Sequence, residues 1–161
     1  MVSIKELKEY LYIKNGELYW KKYAGQRAIK DSEAGSYDKH SGYSKIKFRG
    51  KHYLVHRIIW ALHYGVWPSK DLDHINGFKA DNRIENLREV THQQNCVNRP
   101  KNCNNTSGFK GVIYCKASGK YRARIGIDGN RVCLGYYTTP EQASRIYEQT
   151  ADEWFGTYRR R

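Results

Sequence analysis

The chain has 161 residues, room for one medium or two small domains with modest cores, and a formal net charge of +13 with a pI near 9.6. That balance points to a polyanionic partner, either nucleic acid or an acidic membrane surface. No apolar run approaches the eighteen or so residues of a membrane span. The N-terminus MVSIKELKEY is too charged for a signal peptide, so a soluble, intracellular protein with no membrane partner is expected.

Ser3-Ile4-Lys5-Glu6 is a capping box, and Ile4, Leu7 and Leu11 share a helical face, which predicts a short opening helix. Asn15-Gly16, between YLYIK and ELYWK, is a strong hairpin signal because both central residues of that turn must tolerate positive φ. Residues 24–42 are punctuated by Gly and Ser and read as loop. A second hairpin is predicted from YSKIKF, Arg49-Gly50 and KHYLV. HRIIWALHYG follows as a helix with Ile58, Ile59 and Leu62 at helical spacing, and Gly65 ends it. Its histidines, His56 and His63, read as structural or surface residues rather than ligands.

Next comes LDHINGFKADNRIENLREVTHQQN, residues 72–95. Pro68 to Ile75 reads as a loop rising into a short strand, and Asn76, Gly77, Asp81 and Asn82 read as turn residues. Leu87–Val90 is a second short strand, and Thr91-His92-Gln93-Gln94 is another capping box that opens a helix containing Asn95. Residues 99–107 are a Pro/Asn-rich linker. Beyond it, FKGVIYCK, KYRARIGID and RVCLGYYT form a three-stranded meander with turns at Ser118-Gly119 and Asp128-Gly129-Asn130. Thr139-Pro140-Glu141-Gln142 starts a last helix, with Ala143, Tyr147, Thr150 and Trp154 on its packing face, Gly156 at its end and a bare Arg tail at 159–161.

Charge is not spread evenly. Residues 1–54 carry +6 (twelve basic, six acidic), residues 55–100 carry +1 (six and five), and residues 101–161 carry +6 (eleven and five). Within the last segment, residues 101–131 hold seven basic residues against one acid, while 132–158 hold one against four, so the meander is basic and the helix is not. Alternation along Tyr121-Arg122-Ala123-Arg124-Ile125 sets Arg122 and Arg124 on one face and Ala123 and Ile125 on the other. Cys96, Cys103, Cys115 and Cys133 lack the close spacing of a zinc or redox motif, so reduced, mostly packed thiols are expected rather than a zinc cluster with His92.

An aspartate beside a histidine at a strand end, with an amide or imidazole returning from a helix, suits metal-dependent phosphodiester cleavage. The carboxylate offers an anionic oxygen to a hard divalent cation, the histidine can take a proton from water near neutral pH, and the helix residue closes the metal site. Asp73-His74 in LDHING, Asn86 in RIENLR and Asn95 in THQQN resemble the HNH (ββα-metal) nucleases, in the H-N-N variety found in phage homing and nicking endonucleases. That resemblance implies Asp73 and Asn95 as ligands to a divalent ion, Mg²⁺ first and Mn²⁺ second, His74 as general base, and Asn86 as the brace that aims it. Asn95 stands where many members carry a histidine, and His92 on the same helix is the alternative ligand.

The C-terminal segment, residues 104–156, resembles the plant ethylene-response-factor (Apetala-2) DNA-binding domain. The matching residues are Lys110-Gly111-Val112, Tyr121–Ile125, Leu134–Tyr137, Thr139–Ala143, Tyr147, Ala151 and Gly156, with Tyr121 and Cys133 departing from the usual Trp. The resemblance implies a sheet that enters the major groove, with Lys110, Arg122, Arg124 and Arg131 as contacts.

The fold class expected is α+β: an N-terminal helix and β-hairpins over 1–54, a ββα-metal nuclease core over 55–100, and a linker with a three-stranded antiparallel sheet packed on one helix over 101–161. The activity expected is a homing-type DNA endonuclease that nicks double-stranded DNA as a monomer in the cytoplasm of a bacterial host, phage-encoded. A non-catalytic DNA-binding regulator is the alternative.

Overall fold

The computed structural model describes residues 2–26, 28–98, 101 and 104–159. Cys103, part of the 99–107 linker, and Arg160 and Arg161 of the tail lie outside them. The chain divides into two compact units, Met1–Glu89 and Val90–Arg161.

In the first unit α1 (Ile4–Tyr10) begins at Ser3, whose hydroxyl accepts from the Glu6 N–H at 3.2 Å. Strands β1 (Leu11–Lys14) and β2 (Glu17–Trp20) pair antiparallel, with Leu11 opposite Trp20. Their turn takes φ of 53° at Asn15 and 79° at Gly16, as the Asn-Gly signal requires. Space matters at Gly16 as well as φ: a Cβ there would lie 2.4 Å from Arg83 Cγ. Strand β3 (Ser36–Asp38) lies inside the stretch read from the sequence as loop; it is three residues long and pairs with β4 (Tyr43–Phe48), which pairs in turn with β5 (Lys51–Leu54). Helix α2 (Val55–Tyr64) follows and stops at Gly65 in the left-handed region. One core joins these pieces: Leu7, Leu11, Leu18, Phe48, Ile58, Ile59 and Leu87 are buried together, so residues 1–54 share their interior with the chain up to residue 87.

Strand β6 (Asp71–His74) forms a two-stranded sheet with β7 (Leu87–Val90), and a 3₁₀ turn at Ile84–Asn86 leads into β7. Helix α3 (His92–Asn98) completes the strand–loop–strand–helix order. Its predicted capping box forms: Thr91 Oγ1 accepts from the Gln94 N–H at 3.3 Å, and Gln94 Oε1 from the Thr91 N–H at 2.9 Å.

In the second unit β8 (Val112–Cys115), β9 (Lys120–Ile127) and β10 (Asn130–Tyr137) form the antiparallel sheet in the order β10-β9-β8, with a register shift between Cys133 and Gly135. Helix α4 (Pro140–Phe155) packs across it. Its buried stripe is Ala143, Tyr147, Ala151 and Phe155. Thr150 and Trp154 do not complete that stripe as the sequence reading had it, and Trp154 is exposed. Four-residue steps keep the stripe in register, whereas position 154 sits about 100° around the helix from 155. Arg159, read as part of a bare tail, is folded back: its guanidinium pairs with Glu148 and Asp152 of α4. Among the described residues no helix is long and apolar enough to cross a membrane.

Candidate active site

The centre of the site is the end of β6. Strand pleating alternates Leu72 and Asp73 about the β6–β7 sheet, and Asp73 and His74 are both buried, at 8% and 3% exposure. A buried carboxylate needs a partner. Asp73 Oδ2 accepts from Arg88 Nη2 at 2.9 Å and Nε at 3.1 Å across the sheet. Arg88 comes from β7, and nothing in its sequence setting marked it; its role emerges only when the two strands pair.

His74 is held on two sides. Its Nε2 lies 3.2 Å from Asn82 Oδ1. An amide oxygen only accepts, so with Asn82 in this orientation Nε2 carries the proton and Nδ1 keeps the lone pair. Around the ring stand His56, edge-on at 5.1 Å, and Tyr43 at 6.0 Å, with Tyr43 also against His56 at 5.2 Å. Burial pushes the His74 pKa below the usual imidazole value, opposed by the bond to Asn82 and by the charges of Asp73 and Asp81. His56 is lowered to about 3, first by burial, then by His74 and by Arg57. Both rings are therefore neutral near neutral pH. The sequence placed Asn82 among turn formers; it does stand in the turn region, but its side chain is the partner of His74 and is itself buried.

Asn86 ties the loop between β6 and β7. Its Oδ1 accepts from the Asn76 N–H at 3.0 Å, while its Nδ2 donates to the Asp81 carbonyl at 2.8 Å and to Asn76 Oδ1 at 3.1 Å. Its backbone carbonyl accepts from the Ile75 N–H at 2.9 Å. Asp81 in turn takes Arg83, which holds its carboxyl down at about 2. The residue after His74 is thus held by the Asn86 backbone and the turn beyond it by the Asn86 side chain, a geometry that suits the brace expected of Asn86.

Asp73, His74 and Asn86 stand together in the first unit. Asn95 lies in α3 of the second, where its N–H donates to the Thr91 carbonyl at 3.0 Å. His92 Nε2 lies 3.6 Å from Cys96 Sγ, one helical turn on. Among the described residues no group of three or more His, Cys, Asp or Glu gathers as a metal cluster. The donor chemistry of Asp73 and Asn95, one carboxylate and one amide oxygen, nevertheless suits Mg²⁺, which binds through one or two carboxylates and retains water and phosphate oxygens as further ligands. Arg88 shows that a positive charge fits against Asp73.

On the second unit, Ala123 and Ile125 are buried at 0% and 3%, and Arg122 and Arg124 point to the opposite face of β9, as alternation requires. Arg122 lies opposite Ile113 and Tyr136, Arg124 opposite Cys133, and Arg131 opposite Gly126. Arg122 Nε is shielded from solvent and has no acceptor among the described residues. Lys110 has a different position from these arginines: half-buried, it donates to the Val97 carbonyl at the C-terminal end of α3, and burial lowers its pKa to about 8. The thiols are less packed than expected, with Cys96 and Cys115 half-buried and Cys133 exposed.

Residues 53–97 match the family model described as HNH endonuclease. Over 120 residues the chain is 36% identical to an uncharacterized HNH endonuclease, L560, of Acanthamoeba polyphaga mimivirus, a match covering 73% of this chain and 61% of that protein. The chain therefore spans about three-fifths of the length of this curated relative. Among solved structures, that of the HNH homing endonuclease I-HmuI, described in terms of DNA binding and cleavage, is similar at 29% identity over 59% of this chain and 54% of its own, with a TM-score of 0.43. Residues 53–97, with Asp73, His74 and Asn86 among them, are thus similar to the HNH endonuclease family, and the fold around them is α+β.

Proposed function

We propose that this protein is a metal-dependent DNA endonuclease of homing type. In this reading it nicks double-stranded DNA as a monomer at a site recognised by its Apetala-2-like second unit, in the cytoplasm of a bacterial host. The observation that carries the reading is the setting of His74, a neutral, buried imidazole whose Nε2 is committed to Asn82. A general base must be deprotonated and aimed before substrate arrives, and this ring is both.

His74 Nδ1 takes a proton from the attacking water as its oxygen adds in line to phosphorus, and the 3′ oxygen on the far side departs. Products carry 5′-phosphate and 3′-hydroxyl ends. A divalent ion held by Asp73 and Asn95, Mg²⁺ with Mn²⁺ as substitute, would supply the charge that stabilises the phosphate and the leaving oxygen. Asn86 fixes the loop on which His74 depends, and Arg88 orients the Asp73 carboxylate. One base and one ion site act on one strand, which is why nicking is proposed.

Recognition is assigned to the outer face of β9 and β10. Arg122 supports this, standing on the face of β9 opposite the buried Ala123 and Ile125. Arg124 and Arg131 extend the same face, while Lys110 serves it from behind by fixing α3. Residues 1–54, at +6, add a second hold on the DNA backbone.

The alternative, a DNA-binding regulator without catalysis, draws on the Arg88–Asp73 pair, in which a protein cation already neutralises the carboxylate. Incubating supercoiled plasmid carrying candidate target DNA with the protein, with and without Mg²⁺ or Mn²⁺ and beside His74→Ala, separates the two. Metal-dependent conversion to open circle, lost in the variant, supports the endonuclease. Binding without cleavage in either ion supports the regulator.

A further inference from the structure

We infer that Phe78, carried with Ile75 on the loop between β6 and β7, is a wedge that enters duplex DNA beside the phosphate presented to His74. The inference rests on the endonuclease reading and adds to it a residue that distorts the substrate.

The loop carries large apolar side chains at its surface. Surface loops ordinarily turn polar side chains outward, but here the polar ones are spent on one another: Asn76 on Asp81 at 2.9 Å, Asp81 on Arg83, and Asn86 on Asn76. Lys79 is also engaged, its ammonium 2.9 Å from the Ser41 carbonyl and 4.4 Å from the centre of the Tyr43 ring. The large apolar side chains of the loop are exposed too, Phe78 at 63% and Ile75 at 45%, and neither joins the core of the unit. A single exposed apolar side chain would need no explanation; two large ones on one short loop, neither part of the core, do.

The tip is also rigid. The Phe78 N–H donates to Asn76 Oδ1 at 2.8 Å, the Phe78 carbonyl accepts from the Asp81 N–H at 3.0 Å, and the Gly77 N–H donates to the His74 carbonyl at 2.8 Å. A preformed aromatic tip loses little conformational freedom on binding. Because its braces are those that fix His74, inserting it would set the distance from the unstacked base step to the general base. The occupant we assign is duplex DNA, because the loop springs from His74 and the unit carrying it is rich in basic residues. Flat apolar side chains that part a base step are an established way for proteins to kink DNA.

The test uses the full chain and a duplex containing the mapped cut site, with 2-aminopurine placed at each position flanking it. In a His74→Ala background, which binds without cutting, fluorescence should rise severalfold at one step beside the cut, and His74→Ala/Phe78→Ala should abolish the rise at matched occupancy. In the otherwise wild-type protein Phe78→Ala should lower kcat/KM about tenfold on fully paired DNA, with recovery on a duplex mismatched at that step, where the unstacking is already done. No fluorescence change in the Phe78-containing protein, or an equal loss on paired and mismatched DNA, overturns the wedge while leaving the endonuclease reading intact. A change in oligomeric state on Phe78→Ala overturns it in favour of a contact between two copies. Absence of metal-dependent cleavage by the wild-type chain overturns the endonuclease reading, and the wedge with it.

Discussion

His56 makes the stability of the first unit depend on acidity. Its pKa falls from 6.5 in a free side chain to about 3 in the folded protein because burial penalises its charged form. Below about pH 6.5 the unfolded chain binds a proton that the folded chain does not, so stability is fully present above that pH and falls as the pH drops toward 3. The slope approaches 1.4 kcal/mol per pH unit, and the loss between about pH 7 and about pH 5 is about 2 kcal/mol from this residue alone. Urea unfolding followed by tryptophan fluorescence measures it, since Trp20, Trp60 and Trp67 lie in the first unit and only Trp154 in the second. His56→Phe keeps a ring against His74 and removes the titration, so it should lose about 2 kcal/mol less than wild type over the same interval. Equal losses in the two would refute a neutral His56 in the fold.

Asn82→Ala should lower kcat about ten- to a hundredfold with DNA affinity unchanged, by freeing the His74 ring, while Asn82→Asp, which keeps an acceptor, should retain more activity; single-turnover cleavage and gel shifts read the two quantities. Arg122→Ala and Arg124→Ala should each weaken DNA binding and reduce its salt slope by about one, whereas Lys110→Met should leave the slope unchanged and instead shift the melting of the second unit, as salt titrations and thermal scans would show. Gly111→Ala should destabilise the second unit by about 3 kcal/mol or more, because φ is +71° there and a Cβ would sit 2.2 Å from the Tyr147 ring and 2.8 Å from the Arg124 carbonyl; a thermal midpoint unchanged from wild type would contradict this.

What could be read from the sequence was local. The capping box at Thr91, the N-caps at Ser3 and Thr139 and the turns at Asn15-Gly16 and Arg49-Gly50 each involve residues a few positions apart, and each appears where its spacing placed it. The Asp73-His74 pair and Asn86 were legible because the strand–loop–strand pattern surrounds them. What escaped was set by pairing across distance. Asn82 meets His74 only because the loop closes, Arg88 meets Asp73 only because β6 lies beside β7, and His56 meets His74 only because α2 packs beneath the strand end. The bond from Lys110 to the Val97 carbonyl likewise joins residues 13 positions apart. Strand β3 escaped for another reason: with three residues and little burial it has too few side chains to show a period.

The contact at Gly16 has a consequence for how this protein can vary. The turn of the first hairpin presses on Arg83, Arg83 pairs with Asp81, and the Asp81 carbonyl is one of the acceptors through which Asn86 steadies the loop after His74. The opening hairpin is therefore a buttress of the loop after His74 as well as a scaffold at its periphery. A lineage that trimmed or exchanged it as an independent module would loosen the aim of a histidine nearly sixty positions downstream, and a compensating change would be selected first at residue 83.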